Sequence, residues 1–347
     1  MTAPILIRAD ASPAMGAGHV MRCLALAEAL VELGRPCRFL AAGLPEALRA
    51  RLERAGFGVQ MLAAEPGGPA DRDATLELAR GAAALVLDGY HFGADYRAAL
   101  AASGRPVLAF DDLCTLPSLH ASMVVNPSPA ALSMPYAAAA PGADLLLGPA
   151  YAPLRREFRD ALAIPLPPLA DRRSLLLTFG GSDPPGLTVP VVKRLAPDLP
   201  DGMTLEVVIG GANPRRACVE AAVARFPDRA RLHVETERMG ELMRCCGLAV
   251  AAAGGTLGEL AALRVPTLLV PIADNQRPSA AAAAAAGAVV MVDGCAENAA
   301  GAVVATALSL WQDPARRAAL ADRMAVGGVD GQGAVRIAAA LAARLAR

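Results

Sequence analysis

Short apolar runs alternate with amphipathic segments along almost the whole chain. In the first half, strands are predicted at 4–9, 37–41, 58–62, 84–88, 106–110 and 122–125, and helices at 19–33, 44–55, 71–80 and 93–103. Apolar strands that alternate with helices are typical of a parallel sheet covered on both faces. The pattern therefore predicts an α/β fold for this half.

The same alternation restarts after a proline-rich segment at 164–169. Because proline continues neither a helix nor a central strand, this segment is predicted to be an interdomain linker. Beyond it, strands are predicted near 174–179, 204–210, 231–234, 248–252, 267–271 and 288–292, and helices beginning near 186, 215, 239, 256 and 276. We expect two Rossmann-like domains, 1–165 and 166–347, facing each other across a cleft, with the last helix able to pack back on the first domain. In such folds ligands bind outside the carboxyl ends of the strands.

The composition of the chain argues against some classes of partner. The 347 residues suit two domains, and 33 basic residues balance 33 acidic ones without any block of like charge. This balance argues against a nucleic-acid partner or a polybasic membrane patch. Seven cysteines without C-x-x-C spacing indicate reduced thiols, and no secretory or membrane-spanning segment is evident. We expect a cytoplasmic monomer that does not insert into membranes.

The loop after the first strand carries the first candidate for catalysis. Gly16 and Gly18 permit a tight turn and close approach of a ligand, and His19 follows in the first turn of a helix. The positive end of the helix dipole disfavours imidazolium, so a neutral imidazole that accepts a proton is expected. The alternative is a capping or core histidine. Asp10 is expected either to orient His19 or to accept hydrogen bonds from loop N–H groups.

The second half carries the stronger ligand signal. Gly254, Gly255 and Thr256 follow a strand and open a helix, and their N–H groups form a predicted anion site for a diphosphate. Glu259, one turn further on, is either an acceptor for ribose hydroxyls or a solvated helix residue. Two other glycine turns, at 179–184 and 209–213, follow strands and are candidates to face the same ligand.

The sequence lacks the motifs of dinucleotide binding, of P-loop nucleotide binding, of catalytic metal sites and of serine hydrolases. Met21 stands where the dinucleotide fingerprint needs glycine or alanine, and no P-loop, metal-binding cluster or G-x-S-x-G elbow occurs. Asp111 and Asp112 are either a metal-binding pair or caps of the following turn. His233 lies in a strand pattern and is expected to be structural. The sequence therefore predicts no cofactor and no catalytic metal.

Five segments together resemble one family of enzymes. They are GAGHVMRCLALAEAL at 16–30, LDGY at 87–90, FDD at 110–112, FGGSDPPGLT at 179–188 and AAAGGTLGELAALRVPTLLVPIADNQ at 251–276. They are similar to the UDP-2,4-diacetamido-2,4,6-trideoxy-β-L-altropyranose hydrolases of pseudaminic acid biosynthesis. The C-terminal half is also similar to the UDP-binding half of the glycosyltransferases that make peptidoglycan lipid intermediates. One departure is Gly89, where many relatives have a histidine; here His91 follows the tyrosine instead.

The resemblance implies a GT-B architecture and a specific reaction. It implies metal-independent hydrolysis of a UDP-linked diacetamido sugar, inverting at C1, with His19 as the general base that activates water. The residues it implies for binding the UDP-sugar are Gly16, Gly18, Arg22, Tyr90, Ser182, Gly211, Asn213, Met239, Gly254, Gly255, Thr256, Glu259 and Asn275. Two alternatives stay open: a UDP-sugar glycosyltransferase with an unidentified acceptor, and a non-catalytic nucleotide-sugar binding protein.

Overall fold

A computed structural model describes residues 2–12 and 15–347, so positions 13 and 14 of the predicted ligand loop lie outside the described residues. The chain divides into two compact units. The first contains residues 1–156 together with 332–347, and the second contains residues 157–331. The proline-rich segment at 164–169 lies within the second unit.

The first unit is built on a seven-stranded parallel sheet. Its strands are β1 (Ile5–Ala9), β2 (Cys37–Ala41), β3 (Gly58–Met61), β4 (Ala84–Asp88), β5 (Val107–Phe110), β6 (Met123–Asn126) and β7 (Asp144–Leu147). The helices between them are α1 (Gly18–Glu32), α2 (Glu46–Arg54), α3 (Pro69–Ala79), α4 (Ala94–Ala102) and α5 (Tyr136–Ala139). The strand order β3-β2-β1-β4-β5-β6-β7 is the doubly wound order: β2 and β3 are added on one side of β1, and β4 to β7 are added on the other side.

The second unit repeats this topology with six parallel strands. They are β8 (Ser174–Thr178), β9 (Thr204–Ile209), β10 (Ala230–Val234), β11 (Cys246–Ala252), β12 (Thr267–Val270) and β13 (Val290–Met291). The helices are α6 (Arg156–Leu162), α7 (Thr188–Leu195), α8 (Arg216–Val223), α9 (Met239–Arg244), α10 (Thr256–Ala262), α11 (Arg277–Ala285), α12 (Ala299–Gln312) and α13 (Pro314–Val326). The order β10-β9-β8-β11-β12-β13 again reverses beside the first strand, between β8 and β11.

The last helix, α14 (Gly333–Leu345), packs on α1 in the first unit. Its residues Ile337 and Leu341 are fully buried in the core cluster that also contains Leu26 and Leu30 of α1. Burying such a side chain contributes about 1.5–3 kcal/mol, so this contact fixes the end of the chain to the first unit.

The sequence pattern and the structure agree for most elements. Each predicted strand has an observed counterpart, although only Val290–Met291 of the predicted strand at 288–292 forms a strand. β7 was missed because its apolar run is only three residues long. No helix of the described chain is long and apolar enough to cross a membrane.

Candidate active site

His19 and Asp88 form a hydrogen-bonded pair at the carboxyl end of the first sheet. His19 is the second residue of α1, and Asp88 is the last residue of β4, which pairs with β1. His19 Nδ1 lies 2.7 Å from Asp88 Oδ1, and Asp88 is fully buried. An ionised carboxylate only accepts hydrogen bonds, so Nδ1 carries the proton and Nε2 keeps its lone pair. Nε2 has no hydrogen bond to any described residue.

Arg22 bridges two carboxylates beside this pair. Its Nε and Nη2 donate to Asp88 at 2.6 and 2.7 Å, and its Nη1 and Nη2 donate to Asp112 at 2.7 and 3.0 Å. The guanidinium also lies over the ring of Phe110, 4.8 Å from its centroid. Since the N–H at His19 Nδ1 donates its hydrogen bond to Asp88, Nδ1 cannot accept from Arg22 Nη2, and their 3.3 Å approach is a packing contact.

The ionisation of this cluster follows from its charges. Burial alone would raise the pKa of Asp88, but the charges and hydrogen bonds of Arg22 and His19 hold it well below its usual value. Burial likewise opposes ionisation of Asp112, and Arg22 lowers its pKa. The Arg22 cation therefore faces two carboxylates, which leaves one excess negative charge beside His19. Burial and the Asp88 charge raise the pKa of the Cys23 thiol, which keeps it an unreactive thiol.

Tyr90 covers the imidazole. The rings of Tyr90 and His19 meet edge to face, with centroids 4.7 Å apart and an interplanar angle of 84°. The Tyr90 hydroxyl donates to Asp112 Oδ2 at 2.8 Å, while the side chain remains 47% exposed. Tyr90 therefore has one side against the histidine and one side toward solvent.

The structure decides between the two alternatives expected for Asp10. Asp10 does not orient His19; it accepts hydrogen bonds from the N–H groups of Ala42 and Gly43, which was the other expectation. Asp88 was missed as a functional residue because only the strand order brings the end of β4 beside α1.

The two adjacent aspartates after β5 have different roles. Asp111 caps the following turn by accepting from Cys114 N at 2.7 Å, whereas Asp112 pairs with Arg22. Within residues 2–12 and 15–347, no group of three or more His, Cys, Asp or Glu side chains could hold a metal ion. In the second unit, His233 lies 2.6 Å from Glu206 Oε2 on the neighbouring strand, which is a structural contact.

Two glycine turns of the second unit touch each other at the carboxyl ends of β8 and β9. Gly210 N donates to Gly181 O at 3.1 Å, and Asn213 Nδ2 donates to the same oxygen at 3.2 Å. Gly211 N donates to Glu235 Oε2 at 2.8 Å. Asn213 is only 5% exposed, and its side-chain bond to Gly181 connects the two turns.

The remaining predicted ligand residues lie at the ends of other elements of their unit. Gly254 and Gly255 are exposed, and a Cβ added at either would meet no atom within 4 Å. Thr256 and Glu259 lie partly exposed on α10, and Asn275 lies in the short turn after β12. Ser182 is partly exposed in the first glycine turn, whereas Met239 is buried at the start of α9. In the first unit, Gly16 and Gly18 also leave space where a Cβ would stand.

Comparisons with known proteins give one partial match in sequence. No family model matches the chain. A segment of 138 residues is 28% identical to SpsG of Bacillus subtilis strain 168, described as a spore coat polysaccharide biosynthesis protein. The match spans 39% of this chain and 38% of that relative's length.

Solved structures match over the whole length. MurG of Acinetobacter baumannii aligns with a TM-score of 0.62 at 18% identity, covering 99% of this chain and 100% of that one. The spinosyn rhamnosyltransferase SpnG complexed with thymidine diphosphate aligns at 0.67 and 18% identity over 99% of this chain and 100% of that one. Anabaena HepE in complex with UDP and glucose aligns at 0.60 and 14% identity, covering 99% of each. These similarities confirm the predicted GT-B fold class of two parallel-sheet α/β domains.

Proposed function

We propose that this protein processes a nucleotide-sugar and, specifically, hydrolyses UDP-2,4-diacetamido-2,4,6-trideoxy-β-L-altropyranose to UDP and the free sugar in pseudaminic acid biosynthesis. The observation that carries the proposal is the His19–Asp88 pair, which leaves Nε2 able to accept a proton. The five sequence segments that resemble these hydrolases support the sugar. The polysaccharide biosynthesis role in the name of SpsG supports the broader class.

The proposed reaction begins with proton transfer from water to His19 Nε2. The water oxygen bonds to C1 as the bond from C1 to the UDP oxygen breaks, and that electron pair leaves with UDP. Inversion follows because water attacks from the face opposite the leaving group. Asp88 and Asp112 stabilise the imidazolium, which afterwards returns its proton to solvent. A positioned general base is typically worth about 10²- to 10⁴-fold in rate.

Arg22 and Tyr90 have distinct parts in this proposal. Arg22 is fully engaged with Asp88 and Asp112, so it acts by holding the base assembly in place. Tyr90 has an exposed side next to His19, which offers an aromatic surface to the sugar. Gly16 and Gly18 keep the space beside the base open to substrate.

The second unit binds the nucleotide in this proposal. The exposed backbone at Gly254 to Thr256 binds the diphosphate, Glu259 accepts hydrogen bonds from the ribose, and Asn275 contacts the sugar. The loops with Ser182, Gly211 and Asn213 and the start of α9 at Met239 bound the uracil side. The open space at Gly254 and Gly255 supports this assignment, since a diphosphate needs close access to backbone N–H groups.

Two variants separate the catalytic and binding roles. His19→Ala should lower kcat by about 10²- to 10⁴-fold with nearly unchanged UDP affinity. Glu259→Ala should weaken UDP binding by about 1–3 kcal/mol, the cost of losing a charged hydrogen-bond partner. Glu220→Ala, on the exposed surface of α8, is the matched control for the calorimetric titration. Wild-type turnover in a folded His19→Ala protein would remove His19 from the mechanism.

A UDP-sugar glycosyltransferase is the second candidate. The name of SpnG, a rhamnosyltransferase of the same fold, favours it. A transferase requires an acceptor, whereas a hydrolase releases UDP in water alone. Assay of UDP release with no acceptor present therefore separates the two candidates.

A further inference from the structure

A second histidine, His91, has a closely surrounded side chain next to the group formed by His19, Asp88, Arg22 and Asp112, which we call the His19 assembly. Asp88 ends β4, and Gly89, Tyr90 and His91 follow it directly. Asp88 contacts His19, Tyr90 covers His19, and His91 lies against Asp10 at the end of β1. His91 Nε2 lies 2.8 Å from Asp10 Oδ2, and the His91 side chain is 18% exposed. This segment therefore connects the His19 assembly to a separate charged cluster.

Two glycines make room for the His91 imidazole. A Cβ at Gly89 would lie 2.7 Å from His91 Cε1, and a Cβ at Gly67 would lie 2.5 Å from His91 O and 3.1 Å from its Cδ2. The ring also stacks at a tilt on Phe92, with centroids 4.0 Å apart. No side chain would fit at position 67 or 89 while His91 keeps this conformation.

The partner of His91 is itself held rigidly. Asp10 Oδ2 also contacts Arg8 Nη2 at 2.7 Å, and Arg8 forms a two-bond pair with Asp71 at 2.9 and 2.6 Å. Asp71 in turn accepts from Gly67 N at 2.7 Å, on the loop that encloses His91. Burial opposes ionisation of Asp10, but His91 and Arg8 hold its pKa well below the usual value. The carboxylate that His91 meets is therefore fixed and charged.

The hydrogen bonding of the imidazole is otherwise poor. Neither ring nitrogen of His91 has a well-aligned hydrogen bond within the described part of the chain, and the same holds for Asp10 Oδ2. His91 Nε2 and Asp10 Oδ2 are nevertheless in ion-pair contact at 2.8 Å, so Nδ1 is the ring atom left without a polar contact among the described residues. A buried polar atom without a hydrogen bond typically costs about 1–3 kcal/mol. The contact between His91 and Asp10 therefore fixes the segment at 88–91 one residue after Tyr90.

We propose that His91 is a positioning residue, which attaches the segment at 88–91 to Asp10 and so holds the Tyr90 ring against His19. The Tyr90 hydroxyl also donates to Asp112, and the Tyr90 side chain is nearly half exposed. The effect on turnover rests on the proposed hydrolase function. The effect on the geometry around His19 does not.

The geometric test is NMR of the imidazole rings in the free protein. The chain has four histidines, so the long-range ¹⁵N–¹H signals can be assigned with single substitutions. Tyr90→Ala should shift the His19 ring signals, because the neighbouring aromatic ring is lost. His91→Ala should shift them in the same direction, and it should add nothing in the Tyr90→Ala background. His120→Asn, on a loop of the same unit, is the control that should leave them unchanged.

Two further variants guard against a general loss of structure. His91→Gln keeps an N–H donor that can reach Asp10 and should restore the wild-type His19 signals. Gly89→Ala should displace the imidazole and reproduce the shift of His91→Ala. His19 signals that stay at wild-type positions in His91→Ala, but move in Tyr90→Ala, would overturn the proposal.

The kinetic test measures the consequence for turnover. His91→Ala should lower kcat by about 10- to 100-fold with UDP affinity unchanged, as expected when a reacting group is misplaced by about 1 Å. The loss should disappear in the Tyr90→Ala background, where His91 has no ring to position. Equal losses in both backgrounds would contradict action through Tyr90. A wild-type protein that releases no UDP would reject the hydrolase function, while the NMR result would still decide the role of His91.

Discussion

Because Arg22 bridges two carboxylates of the His19 assembly, removing any one charged member is expected to disturb the others. Arg22 binds Asp88 and Asp112 at once, and Asp88 is fully buried with a hydrogen bond to His19 on its other side. Removing one partner of a buried ion pair typically costs about 3–5 kcal/mol, because the other charge is left uncompensated. Substitutions in this cluster should therefore be conservative in shape, and folding should be measured alongside activity.

Asp88→Asn is the sharpest substitution for the orientation of His19. The amide can donate to Nδ1, which would favour the tautomer with the proton on Nε2 and remove the base. We expect kcat to fall by about 10²- to 10⁴-fold with UDP affinity unchanged. Steady-state assay and calorimetric titration check the two parts.

Asp111→Asn is the matched control for that experiment. Asp111 directly precedes Asp112 after β5. It accepts hydrogen bonds from Cys114 N and the Tyr136 hydroxyl and makes no contact with His19. Its kcat should stay near that of the wild type. If a folded Asp88→Asn protein also kept wild-type kcat, Asp88 would not orient the base.

At the scale of elements, the carboxyl ends of the strands carry the candidate chemistry in both units. Periodicity was sufficient to locate these ends, since β1, β4, β8 and β11 were all predicted within a few residues. The glycine turns after them were also evident from the sequence. The contact between Asp88 and His19 was not, because it depends on β4 lying next to β1, which follows a crossover and leaves no local pattern.

The contact between two of these turns gives a prediction with an internal control. A Cβ at Gly210 would lie 2.8 Å from the Cα of Gly181, whereas a Cβ at Gly181 would lie at an ordinary 3.9 Å from the Cα of Gly210. Gly210→Ala should therefore lower the free energy of unfolding by about 1–3 kcal/mol, the usual cost of overpacking. Gly181→Ala should change it far less. Urea denaturation of both variants checks this, and equal stabilities would show that the turns can separate freely.

At the scale of the whole molecule, buried charge is unevenly distributed. The first unit holds two clusters of the same composition, one arginine with two aspartates and a histidine: Arg22, Asp88, Asp112 and His19, and Arg8, Asp10, Asp71 and His91. Among the described residues, the carboxylates with lowered pKa values in the second unit are Glu241, which is exposed, and Asp293, which is partly exposed. The balanced net charge of the sequence did not reveal this difference, because burial decides it.

This difference predicts that acid unfolds the first unit first. The pKa values of Asp10, Asp71, Asp88 and Asp112 are lowered in the folded state. Their contribution to stability is present above the unfolded aspartate pKa of about 3.9 and is lost as the pH falls below it. The only tryptophan, Trp311, lies on α12 in the second unit.

Two signals recorded during acid titration separate the units. Far-UV circular dichroism should begin to fall below about pH 4, before the fluorescence of Trp311 changes. Simultaneous transitions would mean that the buried carboxylates of the first unit do not determine its acid stability.

The most direct test of the proposed hydrolysis is the mass of the UDP released in ¹⁸O-labelled water, with the diacetamido-altrose nucleotide as substrate and no acceptor present. The free sugar exchanges its anomeric oxygen with solvent, so UDP is the informative product. If water activated by His19 attacks C1, UDP is released in full and carries no ¹⁸O. Label in the UDP would show attack at phosphorus, and no UDP release without an acceptor would show that the protein is not a hydrolase of this sugar.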